Sequence, residues 1–513
     1  MLWLCENIAP IAVAAAASAI AWMYGGARGD VLVPVVPWIF AIVLEIFLVF
    51  PQRRTGESSL GARSRNWHCI WRSPVLWLSV GLLVMLLIPF VNNGLCPGCD
   101  ATLIAQGYNP APRVSFLPFC VSRMDHLSVV LPMALTFELA VVVFFALTRE
   151  GKRLALELIV WNGVAMAAFG FIQVAFDAPG PFWDMPKTGP APGHGSFFSV
   201  FGYPNMAGDY FTLLFGIAFA LWRHRCEEAR LAELTAGSDM PQSAGPRWLE
   251  HLLRRHCLLI PTVIFFFSAL YTLSRAAIIL ATSTLFVYFV HTMMVLLFRM
   301  KKSRRVFVGV WSMLALGLVV FFATIFMPKD MQREVNTLDS VSMLDRVTGR
   351  GQYHTEVATA IWRDHPLFGC GGWGYKHFCV PKMMELDMDV KRNLQKTGGA
   401  NVHNDYLQFL AEHGLVGFGA MVLLALLLYL PVVQQWRGLI KDLRFKKAAS
   451  KTTPRPLEIF ALPAPAFIVT VAVIATLVHA FGDCPLRSGA IFSLVYIALA
   501  AIGGFMPHSH HNH

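Results

Sequence analysis

The stretch N-V-H-N-D-Y-L-Q-F-L-A-E-H-G-L-V-G, Asn401 to Gly417, joins a polar helix start to a long apolar run that begins near Gly414. A helix beginning at Asn404 puts His403 at its N-cap edge. Tyr406, Leu407, Leu410 and Gly414 then follow His403 at i+3, i+4, i+7 and i+11. That period predicts a buried face shared by the imidazole, with Asp405, Gln408 and Glu412 turned the other way. The apolar run that follows is one of about twelve long enough to cross a bilayer, which takes roughly 20 residues each. They span 8–24, 31–50, 74–91, 127–147, 154–176, 206–222, 257–273, 276–298, 306–327, 414–434, 461–481 and 488–505. A mean hydropathy of +0.55 with only 14% charged residues excludes a set of soluble domains. The fold class is therefore an all-α polytopic membrane protein, because lipid leaves an open backbone only the helix.

Basic residues alternate between loops and set the orientation. Five loops carry five, three, six, five and seven Lys or Arg, most of the chain's 42. The short loops between them hold only Arg28, Arg113, Arg123, Lys187, Arg275 and Arg487. The positive-inside rule then places both termini in the cytoplasm and the arginine-poor side outside. A pI near 9.2 follows from that topology and from anionic headgroups, and no aromatic-plus-basic platform suggests nucleic acid. The first run is read as a retained anchor, since no small-residue cleavage site stands out. Six cysteines (Cys96, Cys99, Cys120, Cys370, Cys379 and Cys484) fall on the outer side, which in a Gram-negative cell is the oxidising periplasm. A structural disulfide from the C-P-G-C at Cys96–Cys99 to Cys120 and free thiols both remain open. The tail H-S-H-H-N-H is read as a solvated terminus.

One outer segment, 328–413, is long enough for a small subdomain with short helices, and it divides the chain into 1–327, 328–413 and 414–513. Within it, Gly351–Asp364 has a helical apolar period through Val357, Ala360 and Ile361, ended by the turn H-P-L-F-G-C-G-G-W-G. Arg350 lies in this segment, Arg275 in the outer turn Y-T-L-S-R-A-A, and Asp483 and Arg487 in the outer turn F-G-D-C-P-L-R. One arginine at a membrane mouth often snorkels to headgroups. Three arginines and a histidine drawn to one face describe a lipid-linked phosphate or diphosphate site with a general base, since guanidinium forks match phosphate oxygens. Asp209, after Y-P-N-M-A, is placed to orient an arginine. Glu45 and Glu138 fall inside predicted helices, and a structural role is the simpler reading of both.

The pattern from His403-Asn404 through Gly414 to Gly417 resembles that of the bacterial O-antigen ligase and polymerase superfamily. Supporting matches are Ser274–Ala277, Tyr203–Ala207, His365–Gly371 and His479–Arg487, so the resemblance covers about residue 200 to the end. It implies a GT-C-like fold and a glycosyltransferase of the bacterial inner membrane, acting on an undecaprenyl-diphosphate-linked glycan at the periplasmic face. It further implies that Arg275 and Arg350 bind the diphosphate, with Arg487 a weaker third, and that His403 activates the acceptor hydroxyl. Asn404, Asp483 and Asp209 support them. No metal and no cofactor beyond the lipid-linked donor are expected, and Asp387-Met388-Asp389 is read as solvent-facing rather than a metal site. Cys484 stands where the resemblance leads one to expect an aromatic such as Phe. The first reading is a ligase with lipid A core as acceptor and inversion at the anomeric carbon. A polymerase of lipid-linked repeats uses the same chemistry. A transporter or flippase is the contrasting reading, and neither an internal repeat nor a phosphate-binding G-x-x-x-x-G-K-[ST] loop favours it.

Overall fold

A computed structural model describes residues 2–23, 25, 35–54, 56–95, 104, 113–183, 198–235, 255–299, 343–391, 401–450 and 462–506. Among them the secondary structure is helical. The helices are α1 (Leu2–Trp22), α2 (Val35–Val49), α3 (Ser59–Trp71), α4 (Pro74–Val91), α5 (Arg123–Phe145), α6 (Arg149–Ala175) and α7 (Pro204–Thr235). They continue as α8 (Leu259–Tyr271), α9 (Arg275–Arg299), α10 (Met343–Asp364), α11 (Gly374–Glu385), α12 (Asp405–Ser450), α13 (Ala464–His479) and α14 (Gly489–Ala501). Starts follow local chemistry: the Ser73, Ser122 and Thr148 side chains each accept a first-turn N–H, and Pro74 follows its cap directly.

Eleven of the twelve apolar runs coincide with helices, and the twelfth, 306–327, lies outside the described residues. Five stretches are long and apolar enough to cross a membrane, on α4, α5, α6, α9 and α12. Others, including Ala464–His479 and Gly489–Phe505, are shorter. The difference from the sequence expectation has a packing reason. All of α14 is buried, so its apolar character reflects protein neighbours rather than a lipid path. Lipid-facing character shows instead in the exposed Ile39, Ile42, Ile46, Val84 and Leu426.

Helix α7 packs against α8 and α13, and α14 packs against α5. Small residues allow the approach: a Cβ on Gly216 would overlap Ala472 and one on Gly208 would overlap Ala277. The second contact sets the first turn of α9, with Arg275, against the start of α7. A separate small core, built on Val357, Ile361, Tyr375, Phe378, Met383 and Val402, joins α10 and α11 into a cap over the segment that precedes α12. The expected helix through Val357 and Ile361 is there, and the turn after it carries Gly369 and Gly371 with positive φ.

That turn docks on α12 through backbone hydrogen bonds. Cys370 N–H donates to Ala411 O at 3.0 Å and Gly371 N–H to Glu412 O at 2.8 Å. Leu415 N–H and Val416 N–H donate back to Pro366 O and Leu367 O. Helix α12 breaks at Gly414 (φ 64, ψ −174) to present those groups. A Cβ there would overlap the Leu367 carbonyl, and the positive φ suits only glycine. The junction between polar helix and apolar run at Gly414 is thus a built kink, and it fixes the cap to the bundle.

Candidate functional site

His403 sits just before α12 in the left-handed region, φ 55, a conformation in which a non-glycine residue stores strain. Asn404 is the cap behind it: its Oδ1 accepts the Leu407 N–H at 3.1 Å. Two bonds tie this corner to the end of α13, Asp405 N–H to Ala480 O at 2.9 Å and the Tyr406 hydroxyl to Leu477 O at 2.6 Å. The turn between α13 and α14 therefore lies beside His403, and His403 Nδ1 meets Asp483 Oδ1 at 3.1 Å. An ionised carboxylate only accepts, so Nδ1 donates and Nε2 keeps the lone pair. The imidazole is about one-third exposed, whereas Asp483 is buried.

Asp483 is the centre of a network. Its Oδ2 accepts the Tyr203 hydroxyl at 3.0 Å and the Asn205 amide, and Oδ1 accepts the Cys484 N–H at 2.9 Å. His479 Nε2 lies 3.9 Å from Oδ2, and His479 Nδ1 lies 3.3 Å from Asp209 Oδ1. Asp209, expected to orient an arginine, holds this histidine. Burial by itself raises the Asp483 carboxyl, but the His403 hydrogen bond, the His479 charge and the Asn205 amide outweigh it and hold Asp483 well below the usual carboxylate range. Burial and the neighbouring Asp483 push the Tyr203 hydroxyl and the Cys484 thiol up.

On the cap side the nearest ring is His354, with its centroid 6.0 Å from that of His403. His354 is fully buried, with Nδ1 2.6 Å from the Tyr375 hydroxyl and Nε2 2.7 Å from the Tyr353 hydroxyl. Burial and the adjacent His403 lower it to about 4, so at neutral pH it is an uncharged wall of the site.

The amphipathic reading of the opening stretch is overturned. Asp405, Gln408 and Glu412 are fully buried, and Tyr406, Leu407 and Leu410 are only half-buried. Each polar side chain has an internal partner that the sequence period does not display. Asp405 Oδ2 accepts the Leu486 N–H at 2.7 Å, Gln408 Oε1 accepts the Val402 N–H at 3.0 Å, and Glu412 Oε2 accepts Arg487 Nη1 at 2.6 Å. The Arg487–Glu412 pair is almost wholly out of solvent, and the guanidinium carbon lies 4.3 Å from the centroid of the Trp373 ring. Arg487 thus fastens cap, α12 and the α13–α14 turn together, and its Nη2 has no hydrogen-bond partner among the described residues.

The structure accordingly brings His403, Asn404, Asp483 and, through His479, Asp209 into one cluster. Arg275 is half-buried at the start of α9, two residues before Ala277, which packs on Gly208, the neighbour of Asp209 in sequence. Arg350 lies on α10 one turn before His354, and its side chain is outside the described residues. Sequence reasoning singled out neither His479 nor His354. His479 opens the supporting match His479–Arg487, and His354 shares the helical period of Val357 and Ile361, so both stood in stretches the sequence already marked. Of the six cysteines expected on the outer side, Cys120, Cys379 and Cys484 are free thiols, while Cys96 and Cys99 lie outside the described residues.

Residues 260–422 match a family model described as O-antigen ligase, a segment that contains Arg275, Arg350 and His403. No curated protein matches the chain. His403 lies inside the matched segment and its partner Asp483 beyond it, so the pair sits in a helical membrane protein whose residues 260–422 match the O-antigen ligase family.

Proposed function

We propose that the protein is a metal-independent, inverting glycosyltransferase that moves a glycan from an undecaprenyl-diphosphate carrier to an acceptor hydroxyl, on lipid A core, at the periplasmic face of the inner membrane. The observation that carries this reading is the 3.1 Å contact between His403 Nδ1 and Asp483, which leaves Nε2 as the lone-pair nitrogen on a partly exposed ring. The acceptor oxygen attacks the anomeric carbon, the bond from that carbon to the diphosphate oxygen breaks, and the acceptor proton passes to Nε2. Asp483 stabilises the resulting imidazolium, as in other carboxylate–histidine pairs. The diphosphate is already a good leaving group, so its remaining demand is charge stabilisation. Arg275 and Arg350 supply it as a guanidinium clamp, while Arg487, the weaker third candidate, is buried against Glu412 and Trp373 and holds the frame of the site. The positioned proton transfer accounts for about 10²–10⁴ in rate.

Purified protein in lipid, given labelled undecaprenyl-diphosphate oligosaccharide, lipid A core and EDTA, should transfer label to lipid A core. His403→Ala should insert and fold yet lose nearly all product. A ladder of longer undecaprenyl-linked chains would make the enzyme a polymerase, and wild-type turnover by His403→Ala would remove the histidine from the mechanism.

A further inference from the structure

Three side chains at the base corner belong to different ligand classes and already stand close to coordination geometry. His403 Nδ1 and Asp483 Oδ1 are 3.1 Å apart, Cys484 Sγ and the same oxygen are 3.4 Å apart, and the three ligand atoms all lie within 4.8 Å of one another. A tetrahedral zinc with bonds of about 2.0–2.3 Å to N, O and S has ligand–ligand edges of roughly 3.4–3.6 Å. Two edges therefore match to within a few tenths of an ångström. We propose that His403, Asp483 and Cys484 form a binding site for a thiophilic divalent cation of the zinc class, and that its occupation switches off the base.

The surroundings suit a cation. A thiolate, a carboxylate and a neutral imidazole cancel the two positive charges, so the complex is neutral where Asp483 and Cys484 are buried. Asp405 beside them is fully buried, and its Oδ1 has no hydrogen-bond partner among the described residues. Tyr203 and Asn205 hold Asp483 Oδ2 and the Cys484 N–H holds Oδ1, the outer support that ligating carboxylates use. The partly exposed edge of His403 is the way in, and water completes the fourth position. On binding, the Cys484 thiol proton and the Nδ1 hydrogen are displaced from between the ligands, and one of the two leaves to solvent.

The consequence is a tautomer switch. A metal on Nδ1 forces a neutral imidazole to carry its hydrogen on Nε2, the atom that has to receive the acceptor proton. A zinc-loaded His403 cannot act as the base. This second half rests on the transfer reaction proposed above, while the site itself does not.

The test uses the full chain in detergent or lipid and cobalt(II) as the probe. Wild type should show a thiolate-to-cobalt charge-transfer band with the visible bands of tetrahedral cobalt, removed by zinc. Because the chain has ten cysteines, the signal is read as a difference. One equivalent of the band should be missing in both Cys484→Ser and Cys484→Ala. An identical band in wild type and both variants, or none in wild type, would overturn the site. In the transfer assay zinc should slow wild type at least tenfold, EDTA should reverse it, and the two variants should keep basal transfer and resist zinc. Zinc that binds without slowing transfer would overturn the switch. If no preparation transfers glycan, the proposed function fails, and the cobalt difference still decides the site.

Discussion

At the scale of single residues, the working part of the site is an imidazole whose two nitrogens have been made different. Asp483 does this by accepting from Nδ1, and it stays ionised because His403, His479 and Asn205 outweigh the cost of burial. Asp483→Asn keeps the shape but lets the amide donate to Nδ1, which favours the wrong tautomer. Transfer should fall by about 10²–10⁴ with little change in KM. An unchanged kcat in that variant would show that Asp483 only packs the turn. His354 makes a different prediction, about stability. Its folded value of about 4 lies below the ordinary 6.5, so the unfolded chain takes up a proton that the fold excludes. The neutral histidine's contribution is complete above about 6.5 and is lost as pH falls toward 4. Among the described residues, Tyr353, Tyr375 and His403 face it. His354→Gln, which keeps a hydrogen-bonding side chain but cannot titrate, should therefore lose less melting temperature than wild type between pH 7 and pH 4.5. Equal losses would place the acid sensitivity elsewhere.

At the scale of elements, the decisive feature is the break in α12 at Gly414, into which the His365–Gly371 turn hydrogen-bonds from both directions. Gly414→Ala meets two penalties, a positive φ of 64° and overlap with the Leu367 backbone. The strain alone is on the order of 1–3 kcal/mol, and the overlap cannot be relieved by turning a side chain. The yield of monodisperse protein should drop sharply, and the surviving fraction should show cap residues cut faster by protease. Wild-type melting with an unchanged digestion pattern would show that the cap is held by its core alone. The same element explains why the quoted stretch resisted amphipathic reading. Its polar residues look outward on a helical wheel, yet they are the buried ligands of Val402, Leu486 and Arg487, and those partners come from a loop and a turn rather than from the helix's own period.

For the whole molecule, orientation is the property on which the proposed transfer depends, because the proposed base has to face the side that holds the lipid-linked donor. The alternation of basic loops predicts that the cap faces outward and that the extension of α7 faces the cytoplasm. In a cysteine-depleted background, Met384→Cys on α11 should react with a membrane-impermeant maleimide in intact spheroplasts. Leu231→Cys on α7 should react only after permeabilisation. Both native positions are exposed, so labelling of the two from the same side would reject the orientation and, with it, the periplasmic site. Composition and apolar runs by themselves determined the membrane class, the helical secondary structure and the histidine corner, since hydrophobic length and helix-start chemistry are local properties of the chain. The three-dimensional arrangement alone decided which polar residues are buried, that Arg487 is a fastener, and that His354, His479 and Cys484 stand around His403. Each of those facts depends on contacts between residues as much as about 80 or 270 positions apart, and no period or motif in one segment records the partner that another segment brings to it.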